Sequence, residues 1–389
     1  MIILAIETSC DDTGIAILEI TVGKTPDFKV LSNVVSSQTK IHEKYGGVFP
    51  AMAKREHQKN LVPVLASALK QAKLLNPKPK TLNPKQTQNS KFKTMQKILE
   101  KESTLFESIK ELLEKYEKPD IDAIAVTNGP GLEPCLWVGV NFAKALCAFW
   151  NKPIIPVNHI EGHILVNFLN NPQIEFPAMS LIVSGGHTQL ILVKNIGKYK
   201  IIGETRDDAA GECFDKAARI LGLGYPGGPI ISEITSKANN PSRPIILPRP
   251  MLDSKDYDFS FSGLKTAILY AIKDRGSQEL KDEKFIESVA VEIEQAIVDV
   301  LIKKTIKAAK DYKVKTIILG GGVSANQQLR KQLAENIQKH IPNTKYLIPD
   351  TALSTDNALM IAVTGYFHKN KKTKSWKNVK AKANLRLSK

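Results

Sequence analysis

The sequence of 389 residues is short of cysteine: it has four (Cys10, Cys135, Cys147 and Cys213), far apart and with no C-x-x-C pair. That argues against a disulfide framework and for free thiols in a reducing compartment, the cytoplasm. Long apolar runs are missing too. None approaches the ~18–20 residues of a membrane span, so no membrane partner is expected. The first apolar stretch, Met1 to Ile6, runs straight into Glu7, Asp11 and Asp12, which is not how a cleavable signal peptide is built. Neither a G-x-x-x-x-G-K-[ST] loop nor a G-x-G-x-x-G fingerprint occurs, which argues against P-loop and Rossmann phosphate chemistry. Acidic residues are absent from two stretches: residues 70–97 hold eight lysines and no acid, and residues 369–389 hold eight lysines, Arg386 and no acid. The net charge is +16, so the rest of the chain sums to −1. A polyanion would therefore meet mainly these two appendages, through a salt-sensitive and sequence-blind attraction, unless they are simply solvated.

What is present reads as a soluble α/β protein, 42% hydrophobic and 24% charged, long enough for two domains. Residues 2–6 and 15–20 predict buried strands around the polar turn Glu7 to Gly14. The outline recurs about 175 residues later, with strands at 179–183 and 189–193 around Ser184-Gly185-Gly186-His187-Thr188. The repeat predicts two related lobes whose hairpin tips face one cleft, although strand-turn-strand units are common in any α/β chain. Residues 48–73 are expected to be helical, with Leu61, Val64, Leu65 and Leu69 on one face. Prolines 77, 79 and 84 among lysines predict a disordered or surface insertion over about 75–95, and helical periodicity returns at 95–116. Strands at 122–126 and 153–157 flank a helix at 138–150, a βαβ rhythm. Asp207 and Asp208 are placed to open a helix over 207–221 that carries Asp215 and Lys216 on its exposed side. Helices are expected from 264, over 285–311, from 327 and over 358–367, with a strand at 316–319. Residues beyond 369 are read as an unstructured tail.

The stretch around which the chain is organised is His159-Ile160-Glu161-Gly162-His163. Two histidines four apart lie on one helix face, roughly 5–6 Å apart at Cβ, and suit joint coordination of a divalent ion. Such a pair can equally be surface decoration. A zinc-peptidase helix has its Glu directly after the first His, and here Glu161 is third. Two ligands seldom hold a metal, so a third donor is needed. Asp356, ahead of the last apolar helix, would complete a two-His-one-carboxylate set, or would merely be an N-cap. Three glycine turns, Ser184-Gly185-Gly186, Gly227-Gly228 and Gly320-Gly321-Gly322, can cradle phosphate or adenosine at backbone amides, or be ordinary turns.

The motifs Ile6-Glu7-Thr8-Ser9-Cys10-Asp11-Asp12-Thr13, Asn128-Gly129-Pro130-Gly131-Leu132, Asn158-His159-Ile160-Glu161-Gly162-His163 and Ser184-Gly185-Gly186-His187-Thr188-Gln189-Leu190 open an ordered series. The series continues with Asp207 to Lys216, Tyr225-Pro226-Gly227-Gly228-Pro229, Phe259 to Thr266, Gly320 to Asn326 and Thr355-Asp356-Asn357-Ala358. Taken together they resemble, nearly end to end, the tRNA threonylcarbamoyladenosine transferase family of the bacterial TsaD type, formerly called O-sialoglycoprotein endopeptidases.

The resemblance implies the two-lobe actin/hexokinase/Hsp70-like (ASKHA) fold: a first lobe over 1–158 with the insertion, a second over 159–368 and a basic tail over 369–389. It implies transfer of threonylcarbamoyl from threonylcarbamoyl-AMP to N6 of the adenosine beside the anticodon in tRNAs that read codons beginning with A. It also implies one divalent metal ion, iron(II) or zinc, on His159, His163 and Asp356. Substrate positions carried over are Ile182, Val183, Ser184, Gly185, Gly186, Asp215, Gly228 and Asn326. Asp11 is the candidate for helping remove the N6 proton. The implied partners are tRNA, a TsaB-type paralogue and a TsaE-type ATPase subunit. Glu133 to Trp137, the insertion and the longer basic tail depart from the family pattern. Other activities open to the same residues are metallopeptidase, ASKHA small-molecule kinase, and a non-catalytic nucleotide-binding scaffold.

Overall fold

The computed structural model describes residues 1–23, 25–79, 85–171, 173–238, 245–275, 280 and 282–387. Strand β1 (Ile2–Glu7) pairs antiparallel with β2 (Asp12–Thr21), which pairs antiparallel with β3 (Asp27–Ser37). On its other side β1 runs parallel to β4 (Ala123–Gly129), and β4 parallel to β5 (Ile154–Asn158). The order β3-β2-β1-β4-β5 is repeated strand for strand by β6 (Ala178–Val183), β7 (Thr188–Asn195), β8 (Lys198–Glu204), β9 (Thr316–Gly320) and β10 (Lys345–Leu347), arranged β8-β7-β6-β9-β10. The directions match as well: β6 is antiparallel to β7 and parallel to β9. The repeated hairpin is thus one part of a duplicated five-stranded lobe, and the expected two-lobe ASKHA architecture is what the chain adopts. The third strand of each lobe escapes the sequence reading because β3 and β8 are edge strands. They are half-exposed and interleaved with polar residues, so they lack an apolar run.

The helices are α1 (Thr39–Glu43), α2 (Pro50–Gln71), α3 (Lys85–Ile98), α4 (Ser103–Lys115), α5 (Glu133–Trp150), α6 (His159–Leu165), α7 (Ala210–Ile220), α8 (Gly227–Lys237), α9 (Ser262–Arg275), α10 (Glu283–Asp311), α11 (Gln327–His340) and α12 (Ala358–Phe367). Three apolar layers hold them. Leu61, Val64, Leu65 and Leu69 of α2 join α3 to α5 on the outer face of the first sheet. Helices α7 to α11 form the corresponding layer of the second. Between the sheets lie α6 and α12, packed on Ile3, Ala5 and Ala16 of one and Ile182, Ile191 and Ile318 of the other. Helix α12 is apolar nearly all round because it has a sheet or helix on every side. Although it comes last in the chain, it lies against β1 and β2.

Several expectations are corrected. The insertion is not unstructured throughout: α3 begins at Lys85 and buries Phe92 and Met95 on α5. Residues 80–84 of it lie outside the described residues. Periodicity over 95–116 is broken by a turn near Lys101 into two helices. Asp207 does not open α7. Its carboxylate instead accepts from the Phe261 and Ser262 amides (2.8 and 3.2 Å) and from the Ser260 and Ser262 hydroxyls (2.5 and 2.8 Å), anchoring the start of α9. The tail is ordered over 370–387, as far as the described residues go. Thr373 bridges to Ile154, Val379 is buried, and residues 380–387 run across both lobes.

Candidate functional site

The site is assembled where two helix N-termini meet the end of β1. Strand β5 ends at Asn158, whose side-chain oxygen accepts from the Ile160 and Glu161 amides (2.9 and 3.2 Å), so α6 starts with His159 in its first turn. Helix α12 is capped in the same way by Asn357 on the Met360 amide (3.1 Å), not by Asp356. That leaves the Asp356 carboxylate free to face the histidines. His159 Nε2 lies 3.5 Å and His163 Nε2 3.2 Å from Asp356 Oδ1, and one donor atom from each residue falls within 4.8 Å of the others.

The surroundings orient this set. His159 Nδ1 lies 3.2 Å from Glu7 Oε2 and 3.1 Å from Ser9 Oγ. Glu7 also accepts from the Thr127 hydroxyl (2.6 Å) and the Ser9 amide (2.5 Å), so it is fully buried yet well partnered. With Nδ1–H donating to Glu7, Nε2 points towards Asp356 and can offer its lone pair once its proton is displaced, the arrangement that outer carboxylates impose on metal-ligating histidines. His163 is only 1% exposed, and neither ring nitrogen makes a hydrogen bond. Nε2 meets only the Asp356 carboxylate, without hydrogen-bond geometry, and leaving it so costs on the order of 1–3 kcal/mol, which a cation bound to Nε2 would recover. The donor types and the orphaned imidazole fit a divalent ion. Burial alone would lower the His159 pKa, but Asp356 and Glu7 outweigh it and raise it to about 9. Burial would raise Asp356, yet the charges of His159 and His163 hold it well below the usual carboxylate range.

Further residues lie on the two hairpin turns and on α7. Asp11, on the β1–β2 turn, is raised chiefly by burial and also by Asp356, while a hydrogen bond from Cys10 opposes the shift. His187, on the matching β6–β7 turn, is lowered to about 4 by burial and by the charges of His159 and His163. Ile182 and Val183 are buried in β6, and the tip is held by the Ser184 amide on the His187 carbonyl (2.8 Å) and the His187 amide on Ser184 Oγ (3.1 Å). Gly185 and Gly186 are exposed, with open space where a Cβ would be. Asp215 is half-buried rather than on an exposed face. It accepts from the Gly227 amide (2.7 Å), and its carboxyl is raised by burial, against the pull of the Gly227 and Gly228 amides.

Not every carried-over position is free to bind. Asn326 caps α11 through the Leu329 amide (2.8 Å), and its side-chain nitrogen is held by Ser232 and Glu294. The Gly320 to Gly322 cradle is largely a packing device. A Cβ on Gly321 would collide with the Val183 carbonyl oxygen, and one on Gly320 would lie 2.8 Å from that of His163. The sequence reading missed the roles of Glu7, Ser9 and His187. Glu7 carried a signal, being a carboxylate at the end of an otherwise apolar strand.

A duplicated lobe pair with two histidines and a carboxylate converging between the lobes defines an ASKHA-type protein with a side-chain cluster that could hold a metal ion. The family model described as "TsaD: tRNA N6-adenosine threonylcarbamoyltransferase" matches residues 29–79 and 100–363. A protein of that name from Thermosipho africanus is 44% identical over 387 residues, with all of both chains covered. One from Persephonella marina is 40% identical over 394 residues, covering 100% of this chain and 96% of its own. The chain belongs to the tRNA N6-adenosine threonylcarbamoyltransferase family. Among solved structures, component A of the (R)-2-hydroxyglutaryl-CoA dehydratase of Acidaminococcus fermentans is 12% identical over 95% of this chain and 99% of its own, with a TM-score of 0.49.

Proposed function

We propose that this chain transfers the threonylcarbamoyl group of threonylcarbamoyl-AMP to N6 of the adenosine beside the anticodon in tRNAs that read codons beginning with A. His159, His163 and Asp356 are its metal ligands. The observation that carries the metal part is the buried His163 imidazole, without a hydrogen bond and 3.2 Å from a carboxylate it shares with His159. In the reaction N6 forms a bond to the carbamoyl carbon, the bond from that carbon to the phosphate oxygen breaks, AMP leaves, and N6 gives up one proton.

A divalent ion on these ligands, iron(II) or zinc, would supply positive charge for the phosphate and carbamoyl oxygens. The protein's own residues do the rest. Glu7 holds the His159 ring in register, and the Ser184 to Gly186 turn offers open backbone to the donor. Asp11, its carboxyl raised by burial, would receive the N6 proton.

The exposed Tyr45–Phe49 stack at the start of α2 supports a protein partner at that end, for which a TsaB-type paralogue and a TsaE-type ATPase are proposed. No described helix is long and apolar enough to cross a membrane, and free cysteines accord with a cytoplasmic location.

The test is incubation of unmodified tRNA with ATP, threonine, bicarbonate, the intermediate-forming synthase, the partner subunits and this chain. Threonylcarbamoyladenosine is expected from the wild type and nearly none from His159→Ala or Asp356→Ala. Variants that match wild type would refute the metal mechanism while leaving the transfer intact.

A further inference from the structure

Residues 380–387 form a strap across one mouth of the cleft. The Lys382 amide donates to the Asn128 carbonyl (2.7 Å), and the Gly131 amide donates to the Ala383 carbonyl (3.1 Å), on the Asn-Gly-Pro-Gly turn of the first lobe. Asn158 reaches the Leu385 carbonyl (3.5 Å), and Arg386 closes on Glu204 of β8 in the second lobe (2.7 Å). The fit requires glycine at 129: a Cβ there would collide with the Lys382 carbonyl oxygen. Under the strap is a cavity of about 280 Å³. Its apolar walls include Ile160, Leu385 and Leu387, its amides are Gln189 and Asn384, and His187 links it to the His159–His163–Asp356 cluster.

We propose that this cavity receives the base of the acceptor nucleotide, with the strap as its outer wall. The inference rests on the transferase reading given above. An enzyme that modifies a base must take it out of its stack into a pocket. Flat apolar walls with a few side-chain amides are what stack on an unpaired base and read its edge. The volume sits at the lower end of small-ligand pockets, right for one base and too small for a dinucleotide. Lys380 and Lys382 are exposed on the strap, which has no acidic residue, so the flanking phosphates would meet cations outside the cavity. His187 lines the cavity and feels the charges of His159 and His163, so a base held here would lie beside the cluster proposed to hold the donor.

The experiment uses the full assembly with tRNA and threonylcarbamoyl-AMP varied separately. It compares wild type, a chain ending at Val379, Asn384→Ala and His163→Ala. Ending at Val379 is expected to raise KM for tRNA about tenfold, or ~1.4 kcal/mol, and to leave KM for the donor unchanged. Asn384→Ala, an exposed residue whose loss should not disturb folding, shifts tRNA KM in the same direction by a smaller factor. In the wild type, hydrogen exchange at the Lys382 and Gly131 amides slows when unmodified tRNA is added. Wild-type tRNA KM in both variants, or a donor KM that rises in step, overturns the proposal, as does exchange indifferent to tRNA. If wild type makes no product the transferase reading fails instead. If wild type works, His163→Ala does not, and the strap variants match wild type, only the strap assignment falls.

Discussion

At the scale of single residues the site is an exercise in leaving some groups unpaired and pairing others completely. His163 has no hydrogen bond, whereas Glu7, equally buried, satisfies both oxygens through Thr127, Ser9 and His159. The paired group exists to aim the others. Replacing Glu7 with Gln keeps the shape but gives up the charge that holds the Nδ1 proton. Zinc or iron(II) affinity, measured by calorimetric titration, is expected to fall ~10–100-fold. The same titration has a definite pH dependence. Because the metal-free His159 is raised to about 9, an ion binding at neutral pH must displace its proton. Affinity therefore climbs about tenfold per pH unit and levels off above pH 9. A flat profile across pH 7–9 would mean that His159 is not a ligand. Residue-scale reading of the sequence went far here, since the i,i+4 histidines were visible in the chain. That Asp356 is a free carboxylate and not a cap was undecided, because Asp356 and Asn357 are both good caps and only the fold shows that Asn357 takes the job.

Elements meet at the site through close approaches that particular residues permit. Helix α5 presses Gly139 against the hairpin tip that carries Glu7 and Asp11. A Cβ there would collide with Thr8 Oγ1, whose hydroxyl already donates to the Cys135 carbonyl (3.0 Å). Two effects of Gly139→Ala compete. Helix propensity favours alanine by about 1 kcal/mol, while overpacking a tight buried contact costs about 1–3 kcal/mol. The clash is with a hydroxyl that cannot swing away without giving up its bond, so the second effect wins. Net destabilisation of up to about 2 kcal/mol is expected in denaturant unfolding, together with weaker metal binding as the tip shifts. A variant as stable as wild type would show that α5 can slide. Strands and helices that pack on one face were legible from periodicity, as in α2. The edge strands and helix α3 were not, because β3 and β8 are half-exposed and α3 has few apolar residues among its lysines and glutamines, which leaves no apolar period to read.

For the whole molecule, the charge excess that looked like a property of two loose appendages is partly built into the fold. The tail that carries Lys380, Lys382 and Arg386 is clamped to both lobes at the cleft mouth. Binding of tRNA should weaken log-linearly with salt, and replacing both lysines with Gln should flatten the slope by about 0.7 for each phosphate left without its cation. Filter binding between 50 and 200 mM salt, on the order of the range where such slopes are read, tests it. An unchanged slope would mean that the strap lysines do not meet the nucleic acid.

The sequence by itself determined the duplicated strand-turn-strand plan, the helical pairing of His159 with His163 and the family to which the chain belongs. All of these follow from local periodicity and from motifs a few residues long. Only the tertiary structure decided that Asp356 joins the histidines from about 195 residues away. It also decided that Asn326 is occupied as a cap and that the lysine-rich tail is a wall of the cleft. Those depend on which distant groups come within a few ångströms of one another, and a local pattern carries no record of that distance. A capping aspartate and a ligand, or a solvated tail and a strap, have the same residues in the same order until the lobes close on them.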